Sequence, residues 1–239
     1  FNTVMYTSGD VSGNGTLVKD GLGEMILNGN LSHAGGTTIN TGTVQLIGQN
    51  TYTGGTVLNG GKLYIRENAN LGEAAGSVIF NGGALYSTGN VNADRDLLLQ
   101  QTAALNVRQN TTLSNSGDVS GSGALIKNDL GSMVLSGVLS HAGGTVVNDG
   151  VLVLSGQNDY SGGTILNGGV LQISSSGNLG HATSALTFNG GKLHSTGNAA
   201  TGNDLQLLKN AIIDVDANTV LNSSGAVSGN GGLSKTGQG

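Results

Sequence analysis

The sequence predicts an all-β fold, a parallel β-solenoid, on three observations. The chain of 239 residues repeats itself at a fixed offset of 108 residues; it holds 44 Gly, no Pro and only 3% aromatics; and its apolar residues alternate with a period of two in short runs. Self-similarity at a fixed spacing marks repeat architectures, in which stacked units bury a core that none of them closes alone. Abundant Gly supplies the positive φ of tight turns between short strands. A collagen helix would need Gly at every third position and plentiful Pro. The 36% apolar share provides an ordered core, which a disordered tail lacks.

The long repeat is read directly. The run Ser8 to Gly13 returns at Ser116 to Gly121 and again at Ser224 to Gly229. Leu31 to Gly36 matches Leu139 to Gly144, Gln49-Asn50 matches Gln157-Asn158, and Ser87 to Asn90 matches Ser195 to Asn198. The blocks are therefore 8–115 and 116–223, with a third beginning at 224, and 1–239 reads as a single solenoid segment of a longer protein. Inside each block a shorter beat runs. Gly35 to Leu46 recurs at Gly54 to Ile65, and more loosely at Val78 to Leu85. Five such units fill a block, which predicts about 11 coils of 19–22 residues and a rod roughly 50 Å long at about 4.8 Å per coil.

Each unit reads as strand, Asn/Gly turn, strand. Alternation places Thr37 with Ile39, Val44 with Leu46, Thr56 with Leu58 and Leu63 with Ile65 on core faces, and Thr38, Asn40, Gln45, Lys62 and Tyr64 outside. An antiparallel hairpin uses the same turn chemistry. The equal spacing favours the parallel stack, where Asn40, Asn59 and Asn81 come into register and share amide hydrogen bonds. No helix is required, and the absence of Pro suits strands paired on both edges.

The residues also resemble a known family. Gly13-Asn14-Gly15-Thr16-Leu17-Val18-Lys19, the alternating strand through Leu27, and Asn50-Thr51-Tyr52-Thr53-Gly54-Gly55-Thr56 are similar to the autotransporter-associated β-strand repeat, also called the passenger-associated transport repeat. The second copy matches at Gly121 to Lys127 and Gln157 to Thr164, and a third begins at Gly229 to Lys235. One departure is the inserted pair of segments 30–34 and 138–142, which add a coil between the halves of the motif. The resemblance implies a right-handed β-helix in the passenger of a bacterial type V secretion system. Such a passenger is secreted to the cell surface through its own C-terminal outer-membrane barrel, which would lie outside this chain. It also implies that stepwise folding outside the cell supports export. The residues suit that route, since no disulfide or prolyl isomerisation delays coil addition.

Composition narrows the chemistry. Charged residues are 10% of the chain and the net charge is −5, with Arg66, Arg95 and Arg108 the only arginines, so there is no basic patch for nucleic acid. With no Cys, neither disulfides nor thiolate metal sites are available. No apolar run approaches the roughly 18 residues of a membrane span, so this segment is not expected to insert in a membrane. No catalytic, cofactor-binding or metal-binding residue is assigned, and no cofactor is expected.

An alternative reading, a carbohydrate-active β-helix enzyme such as a polysaccharide lyase or depolymerase, would need clustered carboxylates. Asp94 with Asp96, and Asp214 with Asp216, are the pairs available. They stand at different places in the repeat and read as solvated carboxylates. His33 and His141 are equivalent and read as hydrogen-bonded turn residues; His181 and His194 occur in the second block alone. Gly13-x-Gly15 and Gly121-x-Gly123 lack the third glycine and helix of a phosphate loop. Tyr52 and Tyr160 are expected to cover bare glycine backbone. The Asn-x-Ser/Thr triplets at Asn14, Asn30, Asn110 and Asn222 are no more than the composition produces. The reading is thus an extracellular stalk or adhesin segment rather than an enzyme. Its expected partners are host or bacterial surface molecules, glycan or protein, or further copies of itself through uncapped end coils.

Overall fold

The computed structural model describes residues 3–239. Its strands are short, and the pairings between them are parallel. They line three faces. The first is a 12-stranded sheet running from Val4–Thr7 through Glu24–Leu27 and Thr43–Leu46 to Val227–Gly229. From each of its strands the chain crosses the second and third faces and returns one rung higher. Glu24–Leu27 is followed by Leu31, which bridges Val11 on the second face, then by Thr37–Ile39 on the third, and then by Thr43–Leu46, paired to Glu24–Leu27.

The second face continues as an eight-stranded sheet from Val91–Ala93 to Leu233–Thr236. The third is a six-stranded sheet from Leu17–Lys19 to Val119–Ser120, extended by the bridge from Val119 to Leu139 and, higher up, by the pair Ala199–Thr201 and Leu221–Ser223. Where the second and third faces lose their ladders, 3₁₀ turns at Asn68–Leu71 and Ser176–Leu179 take over. No helical turn was expected. The cause is a buried Asn in each: Asn70 accepts from the backbone N–H of Arg66 at 2.8 Å and Glu67 at 3.1 Å, and donates to the carbonyls of Ile47 and Gly48. A local turn closed this way satisfies backbone that would otherwise lack a ladder partner.

The first face holds 12 rungs, one more than the repeat count predicts, because the rungs average nearer 20 residues than 22. The block and the coil are also incommensurate. Glu24–Leu27 lies on the first face and its counterpart Ser132–Leu135 on the second; Thr37–Ile39 lies on the third and its counterpart Thr145–Val147 on the first. Each block therefore makes five and a third turns instead of five, and equivalent strands advance by one face. The three faces are alike enough, an alternating strand between Gly/Asn corners, that each accepts the same sequence.

The core is a set of aliphatic columns. Val44, Leu63, Leu85 and Leu105 stack in register on the first face and Ile39, Leu58, Phe80 and Leu99 on the third, all buried. Each such side chain contributes about 1.5–3 kcal/mol of burial. Outside, Asn81 Nδ2 donates to Asn59 Oδ1 and Asn59 Nδ2 to Asn40 Oδ1, both at 2.7 Å, and Asn40 donates to Asp20. A second ladder joins Asn189, Asn167, Asn148 and Asn128.

Candidate functional site

The polar residues of the core hold corners together. Lys19 and Lys127 point inward, in register with Ile39 and with Leu105 and Val147. The Lys127 ammonium donates to the carbonyls of Asn128 at 2.8 Å and Asp129 at 2.7 Å, and across to Asp149 of the next coil at 3.1 Å. Lys19 does the same with Asp20, Gly21 and Thr41. Burial pushes the Lys127 amine down to about 8, opposed by the nearby Asp129 and Asp149 charges. The motif lysine is thus a clasp between successive coils. Its burial was readable from Leu17-x-Lys19 and Leu125-x-Lys127, since alternation puts each lysine on its leucine's face.

His33 and His141 are buried turn residues, as their sequence context predicts. His141 Nε2 donates to Gly144 O at 2.9 Å and lies 3.2 Å from Thr145 Oγ1, and its ring stacks on Tyr160 at 5.3 Å. His33 repeats this with Gly36 and Tyr52. Nδ1 of both rings is buried without a partner among the described residues. Burial pushes the His141 imidazole down to about 4, and the phenols of Tyr52 and Tyr160 up to about 12. Each tyrosine hydroxyl is hydrogen-bonded to a threonine, Thr56 at 2.7 Å and Thr164 at 2.8 Å. The tyrosines do cover glycine, though one coil higher than the neighbouring Gly-Gly pair. A Cβ on Gly72, at φ +73°, would stand 2.8 Å from the Tyr52 ring.

Arg95 was not singled out by its sequence, which offers no motif around it. It is buried, and its guanidinium donates to the carbonyls of Leu71, Glu73 and Gly76 at 3.0, 3.2 and 3.0 Å, to Gly72 at 3.3 Å, and to Asn68 Oδ1 at 2.9 Å. Its counterpart in the second block, Asn203, ties a similar loop through the carbonyls of His181 and Ser184. Both residues order a loop.

The two aspartate pairs differ. Asp94 and Asp96 are exposed, and Asp96 accepts the backbone N–H of Asp118 at 2.9 Å as a corner cap. Asp214 takes Lys192 at 2.9 Å and Thr236 at 3.0 Å, and Asp216 takes His194 at 2.8 Å. The Lys192 and Thr236 hydrogen bonds hold the Asp214 carboxyl below its usual range. Among the described residues no group of three or more His, Cys, Asp or Glu is placed to hold a metal.

The outer surface carries a concave feature of mixed character on the first face. Tyr64 and Tyr86 are in register and stack with centroids 4.5 Å apart, and Lys62 lies 6.0 Å from the Tyr86 centroid. With Asn106, Arg108, Gln109, Asp129, Leu130 and Asp149 the two tyrosines line a groove of about 410 Å³. Burial raises the Tyr64 phenol above its usual range, helped by Tyr86, Glu24 and Asp129.

The family model described as passenger-associated-transport-repeat matches residues 17–46, 41–65, 125–154 and 149–173, the stretches that carry the lysine clasp and the Asn-x-Tyr corner. Two stretches of the chain, 17–65 and 125–173, carry passenger-associated transport repeats. Over 136 residues, 57% of its length, it is also 35% identical to the Adhesin BmaC autotransporter of Brucella suis biovar 1 (strain 1330). The match spans 3% of that relative's length. No solved structure matches the chain. The transport repeats and the likeness to an autotransporter together mark the chain as part of an autotransporter passenger.

Proposed function

We propose that this segment is the stalk of a surface-exposed autotransporter adhesin, tethered by an outer-membrane barrel elsewhere in the protein. It presents its surface to host or bacterial molecules and assists export by folding coil by coil. The observation that carries this reading is the unbroken 12-rung parallel ladder, in which each coil bonds to the one below and the one above. Nearest-neighbour stacking lets each emerging coil gain its stability on arrival. The likeness to an adhesin autotransporter supports the adhesive half of the reading.

The test is adhesion of beads coated with the purified chain to epithelial cells and to bacteria. Soluble chain should compete the binding away; beads that bind no better than albumin-coated ones would refute the adhesive role. For export, Leu171→Asp in the full-length protein should lower the protease-accessible passenger at the cell surface. Undiminished surface display would remove the folding contribution.

A further inference from the structure

The groove beside Tyr64 and Tyr86 differs from the rest of the surface in three respects. First, two of the chain's five tyrosines form a stacked, half-buried pair on a solvent-facing position, while Tyr52 and Tyr160 are enclosed in the core. Aromatic rings that are neither buried nor isolated offer flat apolar area with little conformational entropy to lose on binding.

Second, two of the charged groups around them are unengaged. The Arg108 guanidinium and the Asp129 carboxylate are exposed, and neither makes a side-chain hydrogen bond or ion pair among the described residues. The corresponding surface of the second block shows what a closed version looks like. There Tyr64, Tyr86, Asn106 and Arg108 are replaced by Gln172, His194, Asp214 and Asp216, and His194 and Lys192 pair with the two aspartates.

Third, Asp129 occupies a left-handed conformation at φ 63°, where the first block has Gly21 at φ 75°. A non-glycine residue in that region costs about 1 kcal/mol or more. Here it places a carboxylate on the groove's rim.

We propose that this groove binds a short oligosaccharide, with a pyranose ring against the Tyr64–Tyr86 pair and its hydroxyls hydrogen-bonded by Arg108, Asp129 and Gln109. A sugar ring has apolar C–H faces and an equator of hydroxyls that both donate and accept. It therefore matches an aromatic wall flanked by a guanidinium donor and a carboxylate acceptor at close quarters. The volume accommodates one to two rings. Site formation depends on the solenoid: the rings come from the first block and Asp129, Leu130 and Asp149 from the second, and the coil brings them together. The proposal names a ligand class for the adhesive reading and rests on that reading only for its setting.

Cellotriose, maltotriose, lactose and chitotriose serve as probes, read by saturation-transfer NMR and by tyrosine fluorescence, which no Trp obscures. At least one should bind at millimolar concentration and quench the fluorescence. Tyr86→Ala should weaken it about tenfold, the loss of roughly 1.4 kcal/mol of contact. Asp129→Gly, which restores the residue that suits the backbone, should weaken binding without lowering the melting temperature. Gln172→Ala should leave it unchanged. Failure of all four sugars to bind overturns the proposal, as does binding that survives both Tyr86→Ala and Asp129→Gly in folded protein. If coated beads still adhere to cells while no sugar binds, the groove falls and the adhesive stalk stands. If sugar binds and beads do not adhere, the groove stands alone.

Discussion

At the scale of single residues, the buried polar groups set how this protein responds to its surroundings. His141 is pushed down to about 4 by burial, against about 6.5 in an unfolded chain. The unfolded state therefore binds more protons between those values, so stability is complete above about pH 6.5 and falls as pH drops toward 4, by about 3 kcal/mol. Melting temperature measured across that range should fall, and His141→Gln, whose amide can still donate to Gly144, should flatten the slope. An identical slope in the variant would place the proton uptake elsewhere. The repetition of His33 and His141 showed that they were turn residues, but their stacking on Tyr52 and Tyr160 was not legible, because the partners lie 19 residues away in sequence and one coil away in space. Arg95 was illegible for a plainer reason. A guanidinium held mostly by backbone carbonyls, with a single neutral Asn68 beside them, leaves no charged partner in the sequence to read.

At the scale of the strand and its corner, the sequence was most informative. Period-two alternation identified the inward residues, and equal spacing aligned the asparagines of the ladder, whose hydrogen bonds form as that register requires. Asn59 sits in the middle, donating to Asn40 and accepting from Asn81. Asn59→Ala breaks both bonds at an exposed site and should cost about 1–2 kcal/mol in chemical denaturation. An equal loss from Thr38→Ala, which lies on the same outer surface, would show that the ladder adds nothing specific. The motif lysine marks the limit of element-level reading. A charge in a Leu-x-Lys strand suggests an outward residue by composition and an inward one by period, and the period proves correct because three carbonyls replace the water that the ammonium gives up.

At the scale of the molecule, stability is distributed along one dimension. Leu63→Asp places a carboxylate in the first-face column between Val44 and Leu85 and should cost several kcal/mol. Hydrogen exchange should show the damage as local: the coils around residues 44–85 should lose protection first, and the coils around Leu171 should retain it. Uniform loss of protection along the chain would show a single cooperative unit. The repeat predicted the fold and the number of rungs to within one, but not the extra third of a turn, since strand and corner residues look the same on all three faces. That small mismatch fixes the compass bearing of every equivalent patch. Each successive block turns its surface by about a third of a circle and climbs about 26 Å. An array of three would look outward in all directions before the pattern returned to its starting side. A fibre made this way has no front or back in its shared strands and corners, so one azimuth differs from the next through the outward residues that the blocks do not share, such as Tyr64 and Tyr86 against Gln172 and His194.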